Sequence, residues 1–118
     1  MKPILNLTIR RKWLDMIASG EKREEYRRTD NHQVARAWAR AMRRCLPANA
    51  VAVLRAGYTM RSLAVVVEVA GMTLRGAREV LHPEWGEERG AARFVIELGR
   101  VLYAGEYGQA RAWMEARP

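Results

Sequence analysis

Residues 62–71 read S-L-A-V-V-V-E-V-A-G, an almost unbroken apolar run. A run of this kind has no polar side to offer water, so it predicts a strand covered on both faces. Glu68 interrupts it, and a carboxylate buried there needs a cation to meet it. Arg27, Arg55 and Lys22 are the cations that neighbouring segments offer, and Glu68 is expected to contact one of the three. Such a pair is either a structural ion pair or part of a polar cluster at the mouth of a cleft.

The rest of the pattern builds around that strand. I-L-N-L-T-I (4–9) alternates and is rich in β-formers, which predicts a strand. Residues 10–19 have helical spacing, with Trp13, Met16 and Ile17 on one apolar face beside Leu14 and Ala18, and Gly20 stands where a left-handed helix stop is expected. Residues 22–28 read as a short, highly charged extended segment, either an edge strand or a cleft wall. Asp30 and Gln33 have capping-box spacing for a second helix to about Arg44, which Pro47 ends. Its apolar face holds Val34, Trp38, Ala41, Met42 and Cys45; Arg36, Arg40, Arg43 and Arg44 lie on the other.

Further on, V-A-V-L-R-A-G-Y (51–58) and R-F-V-I-E-L-G-R-V-L-Y (93–103) read as strands. Residues 76–82 suggest a helical turn, 83–90 a loop marked by Pro83, Gly86 and Gly90, and the tail a short helix that packs Trp113 back on the core. Five to six strands with flanking helices predict one α+β domain over 1–118 with a curved, barrel-like sheet: a core over 4–103 and a C-terminal tail over 104–118. A start of the order strand, helix, strand, helix also fits a parallel α/β sheet, but the later strands follow one another without helices.

At 118 residues the chain fits one domain. No apolar run approaches the roughly 20 residues of a membrane helix, and the N-terminal apolar run is too short for a signal peptide. Cys45 is the only cysteine, which excludes an internal disulfide and fits a reducing cytoplasm. His32 and His82 lack metal-ligand spacing, so neither metal nor cofactor is expected. The net charge is +8, and residues 1–60 hold 13 Lys and Arg against five Asp and Glu, while residues 61–118 hold eight of each. A one-sided basic field points to a polyanion, nucleic acid first. The 18 arginines against three lysines also fit a compositional bias with no partner behind it.

The charged segment carries the chemistry. In an extended chain Glu25 and Arg27 share one face, and Glu24 and Tyr26 the other. Lys22 follows the glycine stop, and its direction is open. Near apolar walls and another cation, a lysine's pKa falls and it can act as base or nucleophile; near carboxylates it stays charged and binds anions. The alternative for all these groups is a solvated edge. The arginine face of the second helix, with Arg10, Arg11 and Lys12, offers phosphate contacts. Among the aromatic residues Trp13 and Trp38 belong to apolar faces, which leaves Tyr58, beside Gly57, as the better base-stacking candidate and Tyr26 as the next.

L-N-L-T-I-R-R-K-W-L-D-M-I-A-S-G-E-K-R-E-E-Y-R resembles the opening of the ASCH domain, a branch of the PUA-like superfamily. The hallmark G-x-K-x-x-E-x-R is matched by Gly20, Lys22, Glu25 and Arg27. The likeness continues in L-R-A-G-Y (54–58), V-V-V-E-V-A-G (65–71) and P-E-W-G…F-V-I-E-L-G (83–99), and is strongest to small ASCH proteins of phages and prophages. The resemblance implies a small β-barrel whose cleft is lined by the hallmark residues and binds RNA or nucleotides. One branch of the family removes the acyl group from N4-acetylcytidine with a lysine, a threonine three residues later and a glutamate. Lys22 matches the lysine, Glu25 replaces the threonine, and Glu79, Glu84 and Glu87 are candidates for the glutamate.

The leading expectation is therefore a cytoplasmic module that binds RNA, a nucleotide or a nucleoside. Lys22, Arg27 and Arg55 would hold phosphate or a base edge, Glu25 and Glu68 would orient them, and Tyr58 would stack. The second is an amidohydrolase acting on an N4-acylated cytidine-type nucleoside, with Lys22 and Glu25 catalytic. The third is a phage accessory protein that docks on a host protein through its basic helix.

Overall fold

The structure, a computed structural model, describes residues 3–28, 32–45, 50–75 and 93–116. They form β1 (Ile4–Thr8), α1 (Arg11–Ala18), β2 (Glu24–Arg28), α2 (His32–Cys45), β3 (Val51–Arg55), β4 (Leu63–Arg75), β5 (Arg93–Glu106) and α3 (Tyr107–Glu115). All five strands belong to one sheet in the order β1-β3-β4-β5-β2, curled into a half-barrel. Only β1 and β3 run parallel; the other pairings are antiparallel. The fold is thus α+β, and the parallel α/β alternative is not adopted.

The apolar run builds the strand it predicts. Alternate residues of β3 and β4 enter different clusters: Ala52, Leu54, Val65 and Val67 face one way, Val51, Val53, Ala64 and Val66 the other. The first face is covered by α1 through Leu14 and Ile17 and by α2 through Cys45, Trp38 and Met42. Trp38 stacks on Phe94 of β5, with ring centroids 5.3 Å apart. The second face is covered by α3, where Ala110 is fully buried and Trp113 lies against Tyr103 at 5.5 Å. The tail is therefore part of the packed structure, as its apolar residues predict. Trp13 and Trp38 serve the core.

Two strands depart from expectation in length. β4 has 13 residues and β5 has 14, well beyond the usual five or six. Pairs of this length must bend, and the β4–β5 register shifts between Val66 and Val67, between Val67 and Val69, and between Val69 and Gly71. Gly99 permits the close approach at the bend, because a Cβ there would stand 3.2 Å from the Glu68 Cβ. β3 is shorter than the sequence suggests: it ends at Arg55, and Gly57, at φ +136°, turns the chain toward β4. The Asp30 cap, the Pro47 stop and the readings over 76–82 and 83–90 lie outside the described residues.

Leu54 is completely buried, whereas Leu74, on β4, is 63% exposed. Leu54→Ala is expected to lower stability by about 2–5 kcal/mol, and Leu74→Ala to change it by less than about 0.5 kcal/mol. Urea denaturation midpoints of the two variants check this.

Candidate functional site

The site begins at the end of α1. The Gly20 N–H donates to the Ile17 carbonyl at 3.1 Å, and Gly20 takes φ +82°, the left-handed stop that its place in the sequence predicts. Two backbone bonds then fix the next turn. The Lys22 N–H donates to Met16 O at 2.9 Å, and the Leu98 N–H of β5 donates to Arg23 O at 2.8 Å. Lys22 is thereby folded back under the helix end, with 2% of it exposed.

Its ammonium donates to Glu25 Oε1 at 3.0 Å and to the Glu24 carbonyl, and lies 5.1 Å from the Tyr26 ring centroid. Glu25 is itself buried, and its carboxylate gathers further donors. Oε1 accepts the Tyr26 N–H at 3.2 Å, and Oε2 accepts Arg27 Nη2 at 2.8 Å. Arg27 Nη2 also donates to the Thr8 carbonyl at 3.0 Å. Thr8 is on β1 and Arg27 on β2, the two ends of the strand order, so this guanidinium ties the sheet's edges together. Arg27 Nε is buried and finds no partner among the described residues. Lys22, Glu25 and Arg27 thus form one cluster of two cations around one carboxylate. Burial strips water from the ammonium and lowers the Lys22 pKa; the Glu25 carboxylate opposes this and Arg27 adds to it.

Lys22 borders a hollow of about 580 Å³ between the end of α1 and the β4–β5 pair. Ile17, Val67, Leu98 and Val101 supply apolar wall; Lys22, Arg23 and Arg100 supply positive charge; and no carboxylate lines it among the described residues. Gly20 lines the same hollow. Glu25 and Arg27 stand behind Lys22 rather than in the hollow, so the hallmark residues divide into a lining group and its supports.

Other expected site residues lie elsewhere. Glu68 contacts none of Lys22, Arg27 and Arg55. It pairs instead with Arg100 of β5 at 3.4 Å, with 44% of its side chain exposed. The physical reason is the pair of register shifts at Val66/Val67 and Val67/Val69, which takes Glu68 out of the two-sided alternation and lets its carboxylate reach water. Arg55 does not reach the hollow either: its guanidinium lies 3.9 Å over the Tyr107 ring, and its Nε donates to Gly57 O at 2.7 Å. Tyr58, 82% exposed, sits in the β3–β4 turn. Arg36, Arg40, Arg43 and Arg44 are exposed on α2. Glu79, Glu84, Glu87 and His82 lie outside the described residues. Among the described residues no group of three or more His, Cys, Asp or Glu could hold a metal ion, and no helix is long and apolar enough to cross a membrane.

Sequence reasoning does not single out Arg23 and Arg100 as lining residues. A signal for Arg100 exists, since Gly99-Arg100 interrupts the last apolar strand much as Glu68 interrupts the one before it. No known protein family, curated protein or solved structure matches the chain.

The depressed Lys22 pKa sets a sign for pH dependence. A lysine with a folded pKa below its unfolded value of 10.5 binds fewer protons when folded, so its contribution to stability rises with pH between the two values. The stability of wild type relative to Lys22→Met is therefore expected to rise on approach to pH 10.5. Paired denaturation curves across that range check it, and a flat difference would contradict the burial argument.

Proposed function

We propose that this chain is an RNA- or nucleotide-binding module of the ASCH, PUA-like kind, whose hollow beside Lys22 receives a ligand the size of one nucleotide. The observation that carries the reading is the hollow itself: about 580 Å³, walled by Ile17, Val67, Leu98 and Val101, with Lys22, Arg23 and Arg100 as its charged groups. Ligand sites of this size are mostly apolar, with a few fixed polar groups that set orientation. Apolar walls suit the face of a base, and cations suit phosphate. The hallmark spacing of Gly20, Lys22, Glu25 and Arg27 supports the same reading through the ASCH resemblance. The exposed arginines of α2, a helix without a single acidic residue, suit a phosphate backbone approaching that element.

The test is a titration with short single-stranded RNA and a nucleotide panel, on wild type, Lys22→Ala and Arg36→Gln/Arg40→Gln, with melting curves to confirm folding. Affinity is expected to fall as salt rises. The Arg36→Gln/Arg40→Gln variant should reduce the salt slope by about one for each phosphate that α2 no longer neutralises. Equal binding by wild type and folded Lys22→Ala would remove Lys22 from the site.

A second reading follows from one further observation: the buried Lys22 amine, its pKa lowered, contacts Glu25 at 3.0 Å. That pair suits an amidohydrolase acting on an N4-acylated cytidine-type nucleoside. Lys22, as the free amine, would take a proton from the water that attacks the acyl carbon, and Glu25 would shuttle protons toward the leaving nitrogen. The products would be the nucleoside and the carboxylic acid. Wild type is then expected to release cytidine from N4-acetylcytidine and Lys22→Ala to release none. A protein-docking role for α2 predicts neither RNA binding nor this release.

A further inference from the structure

The charged groups around the hollow are not equivalent. Lys22 is almost fully buried and directed at Glu25 and the Glu24 carbonyl. Arg23 and Arg100 are exposed. Each is held through Nε alone among the described residues: Arg23 Nε donates to Gly20 O at 3.3 Å, and Arg100 Nε stands 3.4 Å from Glu68 Oε1. Their Nη nitrogens, the paired end of the guanidinium fork, are left to the hollow. The backbone bond from Leu98 to Arg23 sets Arg23 across from a residue two positions before Arg100 on β5, so both cations approach the hollow from one side. Two guanidinium forks at one concavity are a geometry suited to a phosphate, which accepts bidentate contacts from each.

Glu68 completes the arrangement. Its contact with Arg100 is long, and the side chains are 44% and 77% exposed; an ion pair of that kind adds little to stability. Glu68 does not line the hollow, yet it holds the guanidinium that does. It occupies on Arg100 the position that an anionic oxygen of a ligand would take.

Resting on the reading of the hollow as a nucleotide site, we infer that Arg23 and Arg100 clamp the ligand's phosphate at its mouth, and that Glu68 is a built-in competitor for Arg100. The hollow then selects phosphorylated ligands over the bare nucleoside, and Glu68 sets how strongly. Lys22 serves the base or sugar end, at the wall.

Calorimetric titration of wild type, Arg23→Gln, Arg100→Gln and Glu68→Gln with the four ribonucleoside 5′-monophosphates and their nucleosides tests this. Arg100→Gln and Arg23→Gln are each expected to weaken monophosphate binding about tenfold or more, and to leave nucleoside binding unchanged. Glu68→Gln is expected to tighten monophosphate binding about two- to fivefold, again without effect on the nucleoside. If wild type binds nucleoside and monophosphate alike and the arginine variants change neither, the clamp is overturned while the nucleotide reading stands. If wild type binds neither, the nucleotide reading falls, and inorganic pyrophosphate decides the clamp. Binding of pyrophosphate that depends on Arg100 upholds it; binding independent of Arg100, or none, overturns it.

Discussion

The Glu25 carboxylate is the point on which the site and the edge of the sheet both turn. It accepts from Lys22, from Arg27 and from the Tyr26 backbone. Removing it would leave two half-buried or buried cations facing each other in a medium of low polarity, a costly arrangement. With it in place, the ammonium is held at the wall of the hollow, and Arg27 is held where its other partner, the Thr8 carbonyl, links β2 to β1. A buried ion pair is weak evidence for stability taken alone, since desolvation offsets much of the attraction. Its effect here is positional: it decides which way Lys22 points, a question that the local sequence leaves open.

The apolar faces of the sheet supply what that cluster needs. Residues 65–67 alternate between two covered faces, so β4 is fixed between two layers and cannot slip by one residue without exchanging them. The hollow opens where that regularity stops. Val67 belongs to the core, and across the register shifts on β4 and β5 the strands diverge enough to leave space beside α1. The bend that makes room for a ligand is thus the same bend that turns Glu68 outward toward Arg100.

Much of this is legible in the residues. Period and punctuation predict α1, its stop at Gly20, the two faces of α2, the double-sided strand and the docking of Trp113, because each depends on local chemistry. The sequence also leaves Lys22 two futures, charged beside carboxylates or depressed by burial, and the structure combines them: the pKa falls although Glu25 is in contact. What cannot be read is long-range. Glu68 meets a cation other than the three expected, because a one-dimensional apolar run assumes an unbroken alternation, and three register shifts within a few residues break it. Arg55 leaves the cleft because α3 brings Tyr107 beneath it, a packing that nothing near residue 55 announces. The importance of Arg23 and Arg100 lies in facing the same space, which no spacing rule encodes.

The bonds of Lys22 and Glu25 with the main chain of β2 have a consequence for how this molecule meets others. The bond from Leu98 to Arg23 sets the alternation along β2, so residues 24 and 26 turn their amide and carbonyl groups away from β5. Those are the groups a visiting strand would seek. Lys22 already caps the carbonyl of Glu24, and Glu25 already caps the amide of Tyr26. Side chains from the same short segment therefore occupy the rim that sheet proteins must shield against intermolecular pairing, and the residues that furnish the polar cluster also keep neighbouring copies from adding to the sheet there.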